Sequence, residues 1–153
     1  MDTDATIKKG VMASFITVLS FLYNSFGVLF VILLVLMVID YISGFASAWV
    51  RKEHKSRVGI VGILKKIGYV ALVVTAALFD LAIPHVANQI GTTLPFSSIF
   101  GTIVTCWLIS NEALSITENL GEIGVPTPKF LKVALEKFRV LLENIGNKKN
   151  GEK

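Results

Sequence analysis

The sequence has a single cysteine, two histidines and a charged fraction of only 17%. With Cys106 alone there is no disulfide framework and no ligand spacing for a metal. It lies in an apolar run and reads as a small buried hydrophobe. His85 follows Pro84 and is expected at an interface rather than on a ligand. There is no nucleophile elbow, no metal pair and no phosphate loop, and Gly59-x-x-Gly62 is too short for a nucleotide motif. No enzyme, cofactor or metal is expected. A signal-peptide cleavage site is missing too. The apolar stretch after Lys8–Lys9 ends in Tyr23-Asn24-Ser25, which is not small-x-small, and Ala46-Ser47-Ala48 comes too late in the chain. The N-terminus is therefore expected to be retained.

The most informative absence is that of positive charge. No Lys or Arg occurs between Gly10 and Val50, and none between Ile67 and Pro128. The fifteen basic residues fall at Lys8–Lys9, Arg51–Lys66 and Lys129–Lys153. Six of them, Arg51, Lys52, Lys55, Arg57, Lys65 and Lys66, form a connector between two long apolar runs. Such a connector marks the cytoplasmic turn between membrane helices. An apolar content of 53% lies above the usual soluble range, and mean hydropathy is +0.67. The net charge of +4 then belongs to ends that meet anionic inner-leaflet lipids, not to a nucleic-acid-binding face.

Taken in order, residues 1–25 read as an N-terminal amphipathic or re-entrant segment. Its apolar part, 10–23, would span about 21 Å as a helix, short of the ~30 Å hydrocarbon core. Ser14, Thr17, Ser20 and Asn24 give it a weak polar stripe. The alternative is a full first span. Residues 26–120 read as a transmembrane domain with spans at about 26–50, 60–84 and 94–118. The first opens with fourteen residues, Phe26–Ile39, that carry no polar side chain. In its second half Asp40, Gly44 and Ala48 share a helical face, with Ser43 and Ser47 beside them, as on membrane helices that approach closely. The second span begins at Lys65–Lys66, whose stems can snorkel to the head groups, and is closed by Pro84, with Asp80 near its outer end. The neutral turn 86–95 belongs outside. On the third span Ser98, Thr102, Thr105, Glu112, Ser115 and Asn119 trace a polar stripe, and Trp107 reads as a lipid- or helix-packing residue. Gly121, Gly124 and Pro126 end it. Thr127-Pro128 opens an amphipathic helix at 125–146, lying on the inner leaflet or on a copy of itself. A basic tail, 147–153, is expected to be disordered.

Four acids therefore lie in apolar surroundings or at their margins: Asp40, Asp80, Glu112 and Glu118. An acid at mid-membrane costs about 2.5–3.5 kcal/mol on insertion scales. Each either pairs with a hydroxyl or backbone group between helices, or lines an aqueous lumen in an assembly. With Ser43, Gly44, Ser47 and Ala48 they are the candidate oligomer or lumen residues.

DYISG at 40–44, SRVGIVGILKK at 56–66, NEALSITENLG at 111–121 and GVPTPK at 124–129 occur in this order. In that succession the chain resembles the phage holin and toxin-secretion holin family, over about residues 27–140. The resemblance implies a small all-α protein of the bacterial inner membrane that accumulates and oligomerises with itself. It would then open lesions through which an endolysin, or in some bacteria a toxin, passes as cargo. The residues alone leave a second reading open, a small ion channel or transporter of fixed stoichiometry.

The basic distribution puts the connector and the C-terminus in the cytoplasm. The N-terminus lies outside unless 10–23 also cross. In a Cys106→Ser background, Ile90→Cys should be labelled from outside by an impermeant thiol reagent. Lys55→Cys and Asn150→Cys should react only after permeabilisation. External labelling at position 55 in intact cells would reverse the orientation.

Overall fold

The structure, a computed structural model, describes residues 3–52, 56–94 and 98–147. Lys55, the side chain of Arg57 and the tail from 148 onward lie outside the described residues. The described chain is all-helical: α1 (Thr3–Phe26), α2 (Val28–Val50), α3 (Ser56–Gln89), α4 (Ile99–Ile123) and α5 (Lys129–Asn147). Four of these, α1 to α4, are long and apolar enough to cross a membrane, one more than the three expected. The difference lies in α1. Its helix does not begin after the Lys8–Lys9 pair but runs through it to Thr3, so 24 residues reach about 36 Å. The stripe that made it look interfacial is partly satisfied within the helix. Ser14 and Thr17 donate to the carbonyls of Gly10 and Ala13 at 3.0 and 2.9 Å.

A single residue separates α1 from α2. Gly27 sits at φ 54, ψ −124, a conformation that L side chains rarely adopt, so α2 can start at the next residue. A buried stripe continues across this break: Leu22, Phe26, Phe30, Leu33 and Met37. Carried further, the same stripe becomes polar at Asp40, Ser43 and Ser47. On α3 the corresponding seam repeats every seven residues, Lys66, Val73, Asp80 and Ala87, and on α4 it runs Gly101, Thr105, Leu108 and Glu112. Spacing of this kind keeps one edge of each helix against its neighbours. The apolar centre is Leu22, Phe26, Phe30, Leu33, Met37, Val73, Ala77 and Leu108. α4 is the hub: α2 lies along it most extensively, and α3 and α5 also pack on it. Large side chains such as Val28, Val35, Phe45, Ile60 and Phe79 point outward, a surface suited to acyl chains.

α3 extends beyond both expected ends, at 34 residues or about 51 Å. Pro84 does not close it. Proline removes one donor, the N–H that would reach the Asp80 carbonyl, and the helix resumes beyond it. It stops instead at Gly91, whose φ of 77 allows Thr92 to donate to the Ala87 carbonyl at 2.9 Å. α4 starts later than Leu94, at Ile99, and ends in the same manner. Gly124 has φ 96, and Val125 donates to the Leu120 carbonyl at 3.0 Å.

Gly101 is where the end of α1 meets the start of α4. A Cβ there would overlap the Phe26 ring and lie 3.0 Å from Asp80 Oδ2. Gly101→Ala should lower stability in detergent by about 1–3 kcal/mol, the usual cost of overpacking. Adding Phe26→Leu should recover part of it. Equal denaturant midpoints for Gly101→Ala and the native sequence would refute this contact.

Candidate functional site

Three polar levels are built on the helix seams. At the inner level, Asp40 of α2, Lys66 of α3 and Glu112 of α4 meet inside the bundle. Lys66 Nζ donates to Asp40 Oδ2 at 2.9 Å and to Glu112 Oε2 at 2.5 Å. All three side chains are withdrawn from solvent, Glu112 most of all at 4% exposure. One cation thus serves two carboxylates, which leaves one excess negative charge when all are ionised. Asn119, two turns beyond Glu112, donates its amide to Asp40 Oδ1 at 3.2 Å and to Ser43 Oγ at 3.1 Å. Ser43 in turn donates to the Asp40 carbonyl, not to its carboxylate, at 3.1 Å. Gly44 lets this amide approach, since a Cβ on it would lie 3.4 Å from Asn119 Nδ2.

Nearer the basic connector, Ser47 donates to Glu122 Oε2, and Arg51 pairs with Glu122 Oε1 at 3.3 Å. Ser47 is buried and Ala48 half-buried beside it, so the small stripe on α2 faces α4 of its own chain. At the opposite end, Asp80 caps α4. Its two oxygens accept the backbone N–H groups of Phe100 at 2.9 Å and Gly101 at 2.7 Å. The first turn of a helix has unpaired donors and a positive dipole end, so a carboxylate is well placed there. Ser98, at the N-cap, makes no capping bond of its own.

The remaining candidates are more exposed. Glu118 pairs with Lys132 of α5 at 3.1 Å, both side chains more than half exposed. Lys52 and Lys65 are exposed. Lys66, although adjacent to Lys65, does not snorkel outward; its ammonium enters the bundle because both carboxylates are there. Trp107 uses its indole N–H on Glu143 Oε1 of α5 at 2.9 Å. His85 is exposed and shares a 3.1 Å hydrogen bond with Gln89. Lys66, Glu122 and Glu143 had no sequence signal as side-chain partners beyond the seven-residue seam that carries Lys66. Among the described residues there is no group of three or more metal-ligating side chains. The arrangement can hold helices in register and exchange charge partners.

The sequence model of the bacteriophage holin family matches residues 17–140. A protein of Halalkalibacterium halodurans is 37% identical over 116 residues, 76% of this chain and 82% of its own length. A 14.9 kDa protein of Clostridium perfringens is 30% identical over 132 residues, covering 86% and 92%. A probable holin of Bacillus phage phi105 is 36% identical over 97 residues, covering 63% and 64%. No solved structure matches the chain.

Taking away Lys66 alone leaves two carboxylates enclosed together, whereas taking away all three charges leaves none. Lys66→Met should therefore destabilise the detergent-solubilised protein by about 3–5 kcal/mol. The triple variant Asp40→Asn/Lys66→Met/Glu112→Gln should be much closer to native. Lys132→Met, which breaks only an exposed pair, should change stability by about 1 kcal/mol or less. A Lys66→Met midpoint matching that of Lys132→Met would mean the triad does not form.

Proposed function

The chain belongs to the bacteriophage holin family, and from that premise we propose that it assembles in the bacterial cytoplasmic membrane into lesions that release an endolysin or a toxin. It is a holin-type multi-pass membrane protein; the assembly, the cargo and the orientation are what the proposal adds. The observation that carries the mechanism is the enclosed Asp40–Lys66–Glu112 triad. Both carboxylates are paired with Lys66 inside one protomer, which lowers the cost for a single chain to enter and accumulate in the bilayer. In an assembly with a wet lumen, the same charges can be shared with water. The stripe Asp40, Gly44, Ser47 and Ala48, together with Asp80, Glu112 and Glu118, is then the surface that exchanges partners. A membrane field biases such an exchange by up to about 2.3 kcal/mol per unit charge per 100 mV for a full crossing. A charge moving partway feels a fraction of that, so a sharp trigger requires many subunits acting together.

The length of α1 supports a four-crossing arrangement. With the Arg51–Arg57 connector in the cytoplasm, α2 ends inside and Gly27 lies outside. A crossing α1 then brings Lys8–Lys9 to the cytoplasmic side, so that all three basic clusters share one face. The N-terminus would then be cytoplasmic, together with the start of α5.

Asp40→Asn keeps size and some hydrogen bonding but removes one charge from the triad. Expressed at the native level with a cytoplasmic endolysin, it should insert and oligomerise, yet lyse late and respond differently to an uncoupler. The native protein should release protein-sized markers from cells. Release of ions alone would support a small channel instead. Unchanged lysis timing and uncoupler response in Asp40→Asn would leave Asp40 a structural residue.

A further inference from the structure

α5 is amphipathic and meets α4 along the border between its two faces, with Leu135, Arg139 and Leu142 turned inward. The face of α4 formed by Trp107, Asn111, Ser115 and Glu118 recurs at helical spacing and is the one α5 covers. From α5, Lys132 and Glu143 reach that face, with Arg139 beside Glu143 at 3.8 Å. Between the two helices is a cleft of about 170 Å³, lined by Asn111, Ser115, Glu118, Lys132, Glu136 and Arg139 along with Leu114. Only Leu142 of α5 is fully buried; Phe130, Phe138, Leu141 and Ile145 are left exposed. Lys132, Glu136 and Arg139 line the cleft against α4, while Lys129 and Lys137 are exposed like the outer apolar side chains.

The Lys132–Glu118 ion pair and the Trp107–Glu143 hydrogen bond also fix how far α5 reaches. It runs back along α4 from Glu118 to Trp107, past the level of Glu112 and the triad. It therefore does not lie flat beneath the bundle. Without α5, a carboxylate, an amide, a hydroxyl and an indole N–H on α4 would all face lipid, where unsatisfied polar groups are costly. Yet the polar attachment is light: the ion pair that joins α5 to α4, Lys132–Glu118, is exposed, and such pairs are individually minor. A cover that is needed in lipid but lightly held is suited to being exchanged for water or another polar face.

We propose that α5 is a displaceable cover over the polar face of α4, and that it must leave this face before a lesion opens. This rests on the holin reading above. α5 holds the accumulated chains closed, and its release uncovers the Trp107–Asn111–Ser115–Glu118 face.

The test ties α5 in place. In a Cys106→Ser background, Trp107→Cys/Glu143→Cys and, separately, Glu118→Cys/Lys132→Cys are joined by a reducible thiol-reactive linker. The proteins sit in phosphatidylethanolamine–phosphatidylglycerol vesicles loaded with protein-sized dextran. Both pairs should link within one chain, release should fall about tenfold or more because the competent state is locked out, and reduction should restore it. A monofunctional thiol reagent should have no such effect. If neither pair links, α5 is not docked and the proposal falls. If both link and release is unchanged, α5 is no cover. If the untied protein passes no dextran at all, the holin reading fails and takes this proposal with it.

Discussion

The structure depends on one constraint: a charge carried into an apolar bundle must meet its counter-charge inside it. Asp40, Lys66 and Glu112 come from three different helices and meet at one level. Burying such groups does not by itself add stability, since desolvation offsets much of the attraction. What the triad adds is register. Apolar seams built from Leu, Val, Ala and Phe can slip by a helical turn, about 5.4 Å, and still find apolar contacts. Lys66 cannot slip without leaving two carboxylates unpaired. Asp80 makes the same demand at the other end, because both oxygens must reach the first N–H groups of α4. Two polar levels, with apolar packing between them, set how α3 and α4 lie along one another.

Much of this was legible in the sequence, and the exceptions have physical reasons. The all-helical membrane class followed from hydropathy and from where Lys and Arg are absent. The stop at Gly124 follows from turn residues, whereas the end expected at Pro84 is passed and α3 stops at Gly91 instead. A proline removes one hydrogen bond, and α3 absorbs that loss before Gly91 ends it. α1 was underestimated because a lysine pair resembles a helix boundary, yet lysine is a good helix former and its stem tolerates the interface. Lys66 was harder. Six cations in one connector look alike by composition, and only the repeat Lys66, Val73, Asp80, Ala87 distinguishes the one on the inward seam.

The partners of α4 show a further limit of pattern reading. An amphipathic stretch reveals that a helix has two faces, but not which medium each face meets. In water the apolar side of α5 would be expected inward. Against a membrane helix whose own surface carries Asn111, Ser115 and Glu118, α5 docks along the border of its faces, with Leu135 and Leu142 on one side and Lys132, Glu136 and Arg139 on the other. Polar groups in an apolar medium seek one another for the reason apolar groups do in water: the alternative contact is worse. α4 is therefore polar on two sides, one turned to α2 and α3, the other to α5.

Under the proposed assembly, a helix polar on two sides has a consequence for when a lesion would open. While the polar groups of each chain are satisfied by that chain, nothing forces neighbouring copies to share water, and inserted protein can accumulate. Exposing one chain's polar face to lipid is unfavourable, so a lone protomer has little reason to open. When several copies expose polar faces to one another at once, each face finds water or a polar neighbour, and the unfavourable state is bypassed. The balance between internal and shared satisfaction then depends steeply on how many copies take part. On this account cooperativity follows from the polar groups being internally paired in the first place. A chain with purely apolar helices would have nothing to exchange, and one with unpaired carboxylates would not accumulate in the membrane.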